Sequence, residues 1–380
     1  MKKIIVFIIF SFNLFAAEVF YLARSPKALL MGDAFTALAD DEYTLFYNPA
    51  ALGRNKGVSF TPFAPSFALT DFHNDLTKFS NMPSGTNAAS GYVAKFLDYP
   101  IYLGAQAHPG LKMGQFGFNL FLNNQTSMVI RNATHPILDI NYQYDRGFIA
   151  GFAYTLGSGA TTKKGKKKEK EGTEGGERIS IGASVKHLNR QAIRSQYDIF
   201  GANLLNTLTS GVSSPSALKN ALGSGDGDAW GFDLGAEWVK ASGPTTISAG
   251  YSLMDIGSTR FRKTGGVNDV PDQPMMANAG VAFKQDFGFF DYSFSADLHP
   301  FLGKVDFARQ FHFGVELSFP FISILAGWSE GYTSYGASIK LWPFKIITGL
   351  YSAELGSHFR EEEAKRFILY LSLFDFSIDL

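Results

Sequence analysis

The sequence predicts an all-β fold: a transmembrane antiparallel β-barrel of about 14 strands (about 12 to 16) with an N-terminal hatch, or plug, segment. Three observations lead there. A short basic and apolar leader opens the chain. The remainder holds no apolar run of the ~18 residues a membrane helix needs. From residue 57 onward, large apolar residues recur at every second position, the period of a strand.

The leader comes first. Met1, Lys2 and Lys3 form a basic start, Ile4 to Phe15 an apolar run, and Ala16 and Ala17 offer small residues for cleavage. This predicts a signal peptide over 1–17, cut after Ala16 or Ala17. A membrane anchor would need about 20 apolar residues, and Glu18 ends the run too early. Export also constrains the fold, because the chain has 0 cysteines. An exported fold without disulfides or thiolate metal sites must be held by backbone pairing and burial.

Composition points the same way. Aromatics are 15% and charged residues only 18% of the 380 residues, with 37 Phe and 39 Gly, so the aromatic side chains need a non-aqueous neighbour. Lys plus Arg equals Asp plus Glu at 34 each, which removes any general attraction to nucleic acid. The expected surroundings are the lipid bilayer of an outer membrane.

The strands read as two-faced. Trp230, Phe232, Leu234, Ala236 and Trp238 alternate with Gly231, Asp233, Gly235 and Glu237; Phe311, Phe313, Val315, Leu317 and Phe319 alternate with His312, Gly314, Glu316 and Ser318. Ile179, Ile181, Ala183 and Val185 alternate with Ser180, Gly182, Ser184 and Lys186, and Tyr292, Phe294, Ala296 and Leu298 with Ser293, Ser295 and Asp297. In Gln115 to Leu122 the one exception is Phe121, an aromatic on the small-residue face. A soluble sandwich would put Lys and Glu opposite its apolar face; here Gly, Ser, Asn and Asp stand there, which suits a crowded polar lumen with lipid outside.

Connections then alternate in length. With the last strand running toward the periplasm, residues 342–343, 320, 285–288 and 240–243 form short turns on one side. Residues 353–366, 300–309, 255–274 and 191–229 form longer loops on the other, the asymmetry of outer-membrane barrels. Two connections break the pattern: a tight turn at 145–147, and the charged loop 157–177 on the short side. That loop carries Lys163, Lys164, Lys166, Lys167, Lys168 and Lys170 followed by Glu169, Glu171, Glu174 and Glu177, a composition of disorder. It reads either as a solvated loop or as an electrostatic docking segment. Within 191–229, Ser214 as N-cap, Pro215 as first helical residue and Gly223 as the stop predict a short helix over the barrel mouth. Leu204, Leu205 and Leu208, with Leu218 and Leu222, form an apolar patch that either receives an external ligand or partner or packs the loop.

Residues 18–56 do not read as strand. They run Ser25-Pro26-Lys27-Ala28-Leu29-Leu30-Met31-Gly32-Asp33-Ala34-Phe35-Thr36-Ala37, then Asp40 and Asp41, then Phe46-Tyr47-Asn48-Pro49-Ala50. Small helix-compatible residues give way to a turn at Asn48-Pro49, so this compact element is expected to fold back into the lumen, ahead of a barrel over 57–380. In Met31, Gly32, Ala34, Thr36, Ala37, Asp40, Asp41, Phe46, Tyr47, Asn48, Pro49 and Ala50 the chain resembles the FadL family of outer-membrane long-chain fatty acid transporters, closest in pattern to PorV-like relatives. More loosely, Phe313-Gly314-Val315-Glu316, Leu325-Ala326-Gly327-Trp328 and Gly336-Ala337-Ser338 resemble the last strands of those relatives.

The resemblance implies a plugged barrel through which hydrophobic compounds such as long-chain fatty acids enter. Within its hatch, to which Ala34 also belongs, Gly32 would allow a close backbone approach, Asp40 and Asp41 would hydrogen-bond hatch or wall, and Asn48, Pro49 and Ala50 would fix the turn into the first strand. PorV-like relatives imply a second reading, a binding or shuttle protein whose external loops hold a secreted partner protein.

No enzyme chemistry is visible. His73, His108, His135, His187, His299, His312 and His358 are scattered, without Cys partners or a His-Glu-x-x-His pattern, so no metal site is expected, and a wet lumen accounts for them. Phosphate loops and nucleophile elbows are missing from the pattern as well. The sequence therefore points to no catalytic residue and no cofactor.

Overall fold

In the computed structural model, residues 18–72, 80, 88–158, 176–201, 214–301 and 305–378 are described. Residues 1–17, expected to be a signal peptide, Leu204, Leu205 and Leu208, and all the lysines of the charged run lie outside these residues. The period-two segments form β1 (Val58–Thr61), β2 (Pro65–Thr70), β3 (Ile101–Ala107), β4 (Gly110–Met113), β5 (Phe116–Arg131), β6 (Ile137–Ser158), β7 (Gly176–Asp198), β8 (Gly225–Ser242) and β9 (Thr245–Met254). They continue as β10 (Arg262–Gly266), β11 (Met276–Asp286), β12 (Asp291–Leu298), β13 (Phe311–Ser318), β14 (Ile322–Ser329), β15 (Tyr332–Leu341), β16 (Phe344–Glu354), β17 (Glu363–Leu373) and β18 (Phe376–Ile378). Among the described residues four short α-helices accompany them: α1 (Pro26–Leu30), α2 (Thr44–Tyr47), α3 (Ala88–Phe96) and α4 (Pro215–Ala221).

These segments close on themselves. β17 pairs antiparallel with β2, Phe367 beside Leu69 and Tyr370 beside Ser66, so the sheet has no free edge. Three strands are each interrupted once (β1/β2, β3/β4 and β17/β18) and β10 pairs only beside β8, so the ring counts 14 strands. Closure lets every strand satisfy its backbone groups within the sheet, the condition for crossing a bilayer with strands.

The two faces want different surroundings, and the ring separates them. On β8, Trp230, Phe232 and Leu234 are 55%, 56% and 47% exposed, whereas Asp233 and Glu237 between them are 1% and 2%. Apolar outside and polar inside is the reverse of a soluble barrel. Aromatic contacts collect at both ends of the apolar band. Phe148, His187 and Trp230 pack together near one rim, as do Trp328 and Phe359; Phe287, Phe290 and Tyr292, and Phe289 with Phe319, pack near the other. Such belts sit at membrane interfaces. Phe121, the exception on β5, points inward and is 1% exposed among Leu22, Leu45, Leu52, Ile149 and Leu188.

Three topological expectations are corrected. Asp145 and Gly147 lie inside an unbroken β6, opposite Arg190 and Leu188; Asp145 is the buried partner of Arg190 (Nε to Oδ1 2.7 Å), and that role explains an aspartate there. The turn falls instead at 132–136, where Asn132 takes φ 66° and its Oδ1 accepts from the backbone N–H of Thr134 and His135. That places a turn on the long-loop rim and leaves the ends of β6 and β7, Ser158 and Gly176, on the short-turn rim beside β8 and β9. The connection 191–229 is shorter than expected, because β7 runs to Asp198 and β8 starts at Gly225.

The third correction concerns α4. Its cap is as read, Ser214 Oγ accepting from Ala217 N at 3.2 Å, and Gly223 follows at φ 67°. It does not lie over the mouth. Lys219 Nζ donates to Tyr142 Oη (2.9 Å) and Gln191 Oε1 (2.7 Å), both on the face of β6 and β7 opposite the lumen. β5 to β8 have 16, 22, 23 and 18 residues against 8 in each of β12, β13 and β14, so they rise above the ring as a one-sided wall, and α4 leans on its outer surface.

Candidate functional site: the filled lumen

Residues 18–54 run inside the ring, and the polar inward faces meet their backbone. Residues 21–24 are extended, and their carbonyls accept from β3 and β5: Gln125 Nε2 to Tyr21 O (2.9 Å), Asn123 Nδ2 to Leu22 O (2.6 Å) and Gln106 Nε2 to Arg24 O (2.9 Å). α1 starts at Pro26, whose fixed φ suits a first helical turn, with Ser25 Oγ accepting from Ala28 N at 3.3 Å. The Ser25 hydroxyl also donates to Asp41 Oδ2 at 2.5 Å, and Asp41 Oδ1 accepts from Tyr43 N, so Asp41 ties the two arms of the segment together. Asp40 stays half open, 3.7 Å from Lys27.

After α1 the chain turns through Gly32 and Asp33 at φ 64° and 62°. Gly32 is required twice over: its φ is left-handed, and a Cβ there would fall 2.5 Å from Phe313 O and Trp328 N. β12 to β15 then hold successive backbone groups of the turn. Ser334 Oγ accepts from Gly32 N (3.1 Å), His312 Nδ1 meets Gly32 O (2.9 Å), and His299 Nε2 meets Asp33 O (3.0 Å). Ser295 Oγ donates to Ala34 O (2.7 Å), and Asp297 Oδ2 accepts from Phe35 N (2.8 Å) and Thr36 N (2.7 Å).

The second turn works alike. Asn48 Oδ1 accepts from Ala50 N (3.0 Å), and its Nδ2 donates to Ala236 O on β8 (3.2 Å) and to Thr36 O (3.4 Å). Pro49 opens a 3-10 turn to Arg54, which pairs with Glu237; Arg178 reaches Glu237 too and donates to Gly53 O (2.8 Å). The wall makes room by omitting side chains. A Cβ on Gly182, Gly235, Gly314 or Gly327 would lie within 2.6 Å of residues 31, 32 or 48–50. Glycines that read in sequence as mere small residues thus form a belt on which this backbone sits.

Gly32, Ala34, Asp40, Asp41, Asn48, Pro49 and Ala50 are therefore brought together inside the ring. Leu218 and Leu222 are far from them, on α4 outside the wall. Sequence reading missed the partners: Asp297, His299, His312, Glu237 and the Glu18–Arg366 pair. The inward position of Asp297, Glu237 and His312 was legible in the alternation, but not what they face. Three inward histidines, His108, His299 and His312, are also not wet. His108 is 0% exposed with neither ring nitrogen hydrogen-bonded, enclosed by Tyr43 (ring centroids 4.5 Å) and Phe46 (5.2 Å). His299 and His312 are 3% exposed and stack face to face, centroids 3.8 Å apart.

Space is unequally divided. Toward the short-turn rim a cavity of about 490 Å³ is lined by Lys27, Lys112, Lys345, Glu42, Glu316 and Asp375, and the Lys27–Glu316 pair (2.9 Å) borders both it and a neighbour of about 220 Å³. Toward the long-loop rim two cavities of about 30 Å³ each remain, one bordered by Tyr21, Arg24 and Tyr102, the other by Phe46, Met254, Met276 and His299. Each holds about a water molecule. The wall's pairing is interrupted where three broken strands lie side by side, at 62–64, 108–109 and 374–375; the Phe63–Leu373 bridge and a hydrogen bond from Thr61 Oγ1 to Asp375 Oδ1 (2.6 Å) cross there.

A closed ring, an apolar exterior and, among the described residues, a lumen occupied by the chain's own N-terminal segment define a transmembrane β-barrel. No protein-family model matches the chain, and no curated protein matches it. Among solved structures it is similar to the Pseudomonas putida toluene transporter TodX (12% identity over 94% of this chain and 100% of that one, TM-score 0.46). It is also similar to the Ralstonia pickettii toluene transporter TbuX (12%, 94% and 99%, 0.42) and to the CymD monoaromatic hydrocarbon channel (11%, 97% and 100%, 0.37).

Proposed function

We propose that this chain takes up hydrophobic compounds, long-chain fatty acids or other apolar molecules, across the outer membrane, with residues 18–56 as a movable hatch. The observation that carries this reading is where the wall breaks. Three adjacent strands lose their pairing at one height, and there His108 meets Tyr43 and Phe46 of the N-terminal segment. An apolar molecule captured at the long-loop rim and let past a displaced hatch would meet this break in strand pairing, the place where the wall would open toward lipid. Leaving sideways spares it the transfer back to water, about 25 cal/mol for each Å² of apolar surface. The resemblance of Met31 to Ala50 to FadL-type hatches supports the same reading.

The test is uptake of a radiolabelled long-chain fatty acid by cells expressing the chain, with mass spectrometry of what the protein carries after purification in mild detergent. Uptake above the empty-vector control and a bound apolar compound are expected. A co-purifying protein held through residues 191–229, with no uptake, would replace this reading by that of a shuttle.

A further inference from the structure

We propose that the cavity at the short-turn rim binds the head group of a zwitterionic phospholipid, one that carries a phosphate and a primary ammonium. Such a site goes beyond uptake and does not require residues 18–56 to move. The cavity, about 490 Å³, is in the size range of small-molecule sites, and four lysines and five carboxylates line it. So even a balance favours neither a bare anion nor a bare cation. It suits a group that carries one charge of each sign.

Donors for the phosphate stand ready on the wall. Lys112 Nζ on β4 rests on the carbonyls of Asp40 (2.6 Å) and Asp41 (3.0 Å), and Lys345 Nζ on β16 lies 5.6 Å from the centre of the Tyr370 ring; among the described residues neither ammonium ion-pairs with a carboxylate. Asp41, Glu42 and Asp375 share the cavity but already accept from Ser25 Oγ (2.5 Å), Tyr370 Oη (2.6 Å) and Thr61 Oγ1 (2.6 Å). Lys340 stands directly opposite Lys345 in the ladder, and like charges so placed repel, a cost that a phosphate between them removes. Ser338 Oγ on β15, 3% exposed, borders the same cavity and has no hydrogen-bond partner among the described residues. Ammonium groups and a hydroxyl both donate to phosphate oxygens. The acceptor for the ligand's own ammonium is Asp40, half open at 3.7 Å from Lys27, whose nearer partner is Glu316 at 2.9 Å.

A lipid fits better than a solute because the lip of the cavity is aromatic. Phe321, Trp342, Phe344 and Phe376 line it and are exposed, and rings so placed mark the level of head groups. Ile339 and Leu341, exposed on β15 beside the Trp342 turn, offer acyl chains an apolar surface. Asp40 belongs to the N-terminal segment and Lys345 and Ser338 to the wall, so a bound head group bridges the two.

Native mass spectrometry of the chain folded in mild detergent reads the site, with dioctanoyl phosphatidylethanolamine, phosphatidylglycerol of the same chains and free phosphoethanolamine as probes. Phosphatidylethanolamine should bind about tenfold more tightly than phosphatidylglycerol, the worth of one charged hydrogen bond to Asp40. Lys112→Gln with Lys345→Gln should weaken both lipids about tenfold, whereas Lys263→Gln with Lys365→Gln, exposed on the long-loop rim, should change neither. Asp40→Asn should abolish the preference between the lipids while phosphatidylglycerol still binds. Heat-modifiable migration confirms a folded barrel in each variant; should the Lys112 and Lys345 double variant fail it, Asp40→Asn alone decides. Equal binding of the two lipids by the parent, a preference that survives in Asp40→Asn, or undiminished binding in the folded double variant overturns the site and leaves annular lipid only. Free phosphoethanolamine bound as tightly as the lipid overturns a membrane source. Lipid retention is read here without fatty acid uptake, so failure of this site and failure of the uptake reading are told apart.

Discussion

Arg366 on β17 closes a two-point ion pair with Glu18, Nη1 to Oε1 at 2.5 Å and Nη2 to Oε2 at 2.7 Å. The guanidinium is 0% exposed and lies 3.6 Å above the Tyr102 ring. Removing one partner of such a buried pair strands the other charge, which costs about 3 to 5 kcal/mol. Glu18→Ala should therefore lower the unfolding midpoint markedly, while Glu18→Ala with Arg366→Met recovers much of the loss. Denaturant titration followed by tryptophan fluorescence measures both. Equal midpoints for Glu18→Ala and the parent would show that residue 18 is not seated there.

A Cβ at Gly327 would fall 2.0 Å from Gly32 N. The neighbours are backbone and cannot rotate away, so Gly327→Ala should destabilise by about 1 to 3 kcal/mol and loosen the hatch. Gly265, whose nearest atoms are 3.6 Å off, is the control and should tolerate Ala. Sensitivity of cells to a large hydrophilic antibiotic reads the loosening: it should rise for Gly327→Ala only.

Phe232 is 56% exposed in the middle of the outward stripe of β8. If lipid covers it, Phe232→Arg should cost about 2 to 4 kcal/mol of folding into bilayers, the midplane value for a cation. Folding yield into liposomes checks this. A variant that folds as well as the parent would mean the aromatic face does not meet hydrocarbon.

Glu361, on the long-loop rim, accepts from His358 N (2.8 Å) and Ser357 N (2.7 Å). These hydrogen bonds, that from His358 foremost, lower its carboxyl from 4.5 to about 2. A lowered value in the fold means that the stabilisation is complete above the ordinary value and is lost as pH falls from there through about 2. Cleavage of the 355–362 loop by an acid-stable protease should accelerate across that window, and Glu361→Gln should cleave at one rate throughout. Parent and variant behaving alike would remove the capping role.

Much of the barrel was readable because its cause is local. Alternation along Trp230 to Trp238 or Phe311 to Phe319 assigns each side chain to a face from its own position, and Ser214-Pro215 with Gly223 marks a helix from its ends. What failed depended on distant partners. Asp145 looks like a turn former until Arg190 stands opposite it, and α4 looks like a lid until Lys219 finds Tyr142 outside the wall.

The N-terminal segment divides along the same line. That it is not a strand, and the turn at Asn48-Pro49, follow from residue types along one short stretch. The groups that hold it come from chain positions hundreds of residues away: Asp297 for Phe35 and Thr36, Ser334 for Gly32, Arg366 for Glu18. Sequence alone determined which faces are greasy, which are small and polar, and that the chain spans a membrane with strands, since periodicity is a property of neighbours. Only ring closure and register decided which inward group meets which hatch atom, because hydrogen bonds and stacked rings require ångström-scale placement that no spacing along one strand specifies.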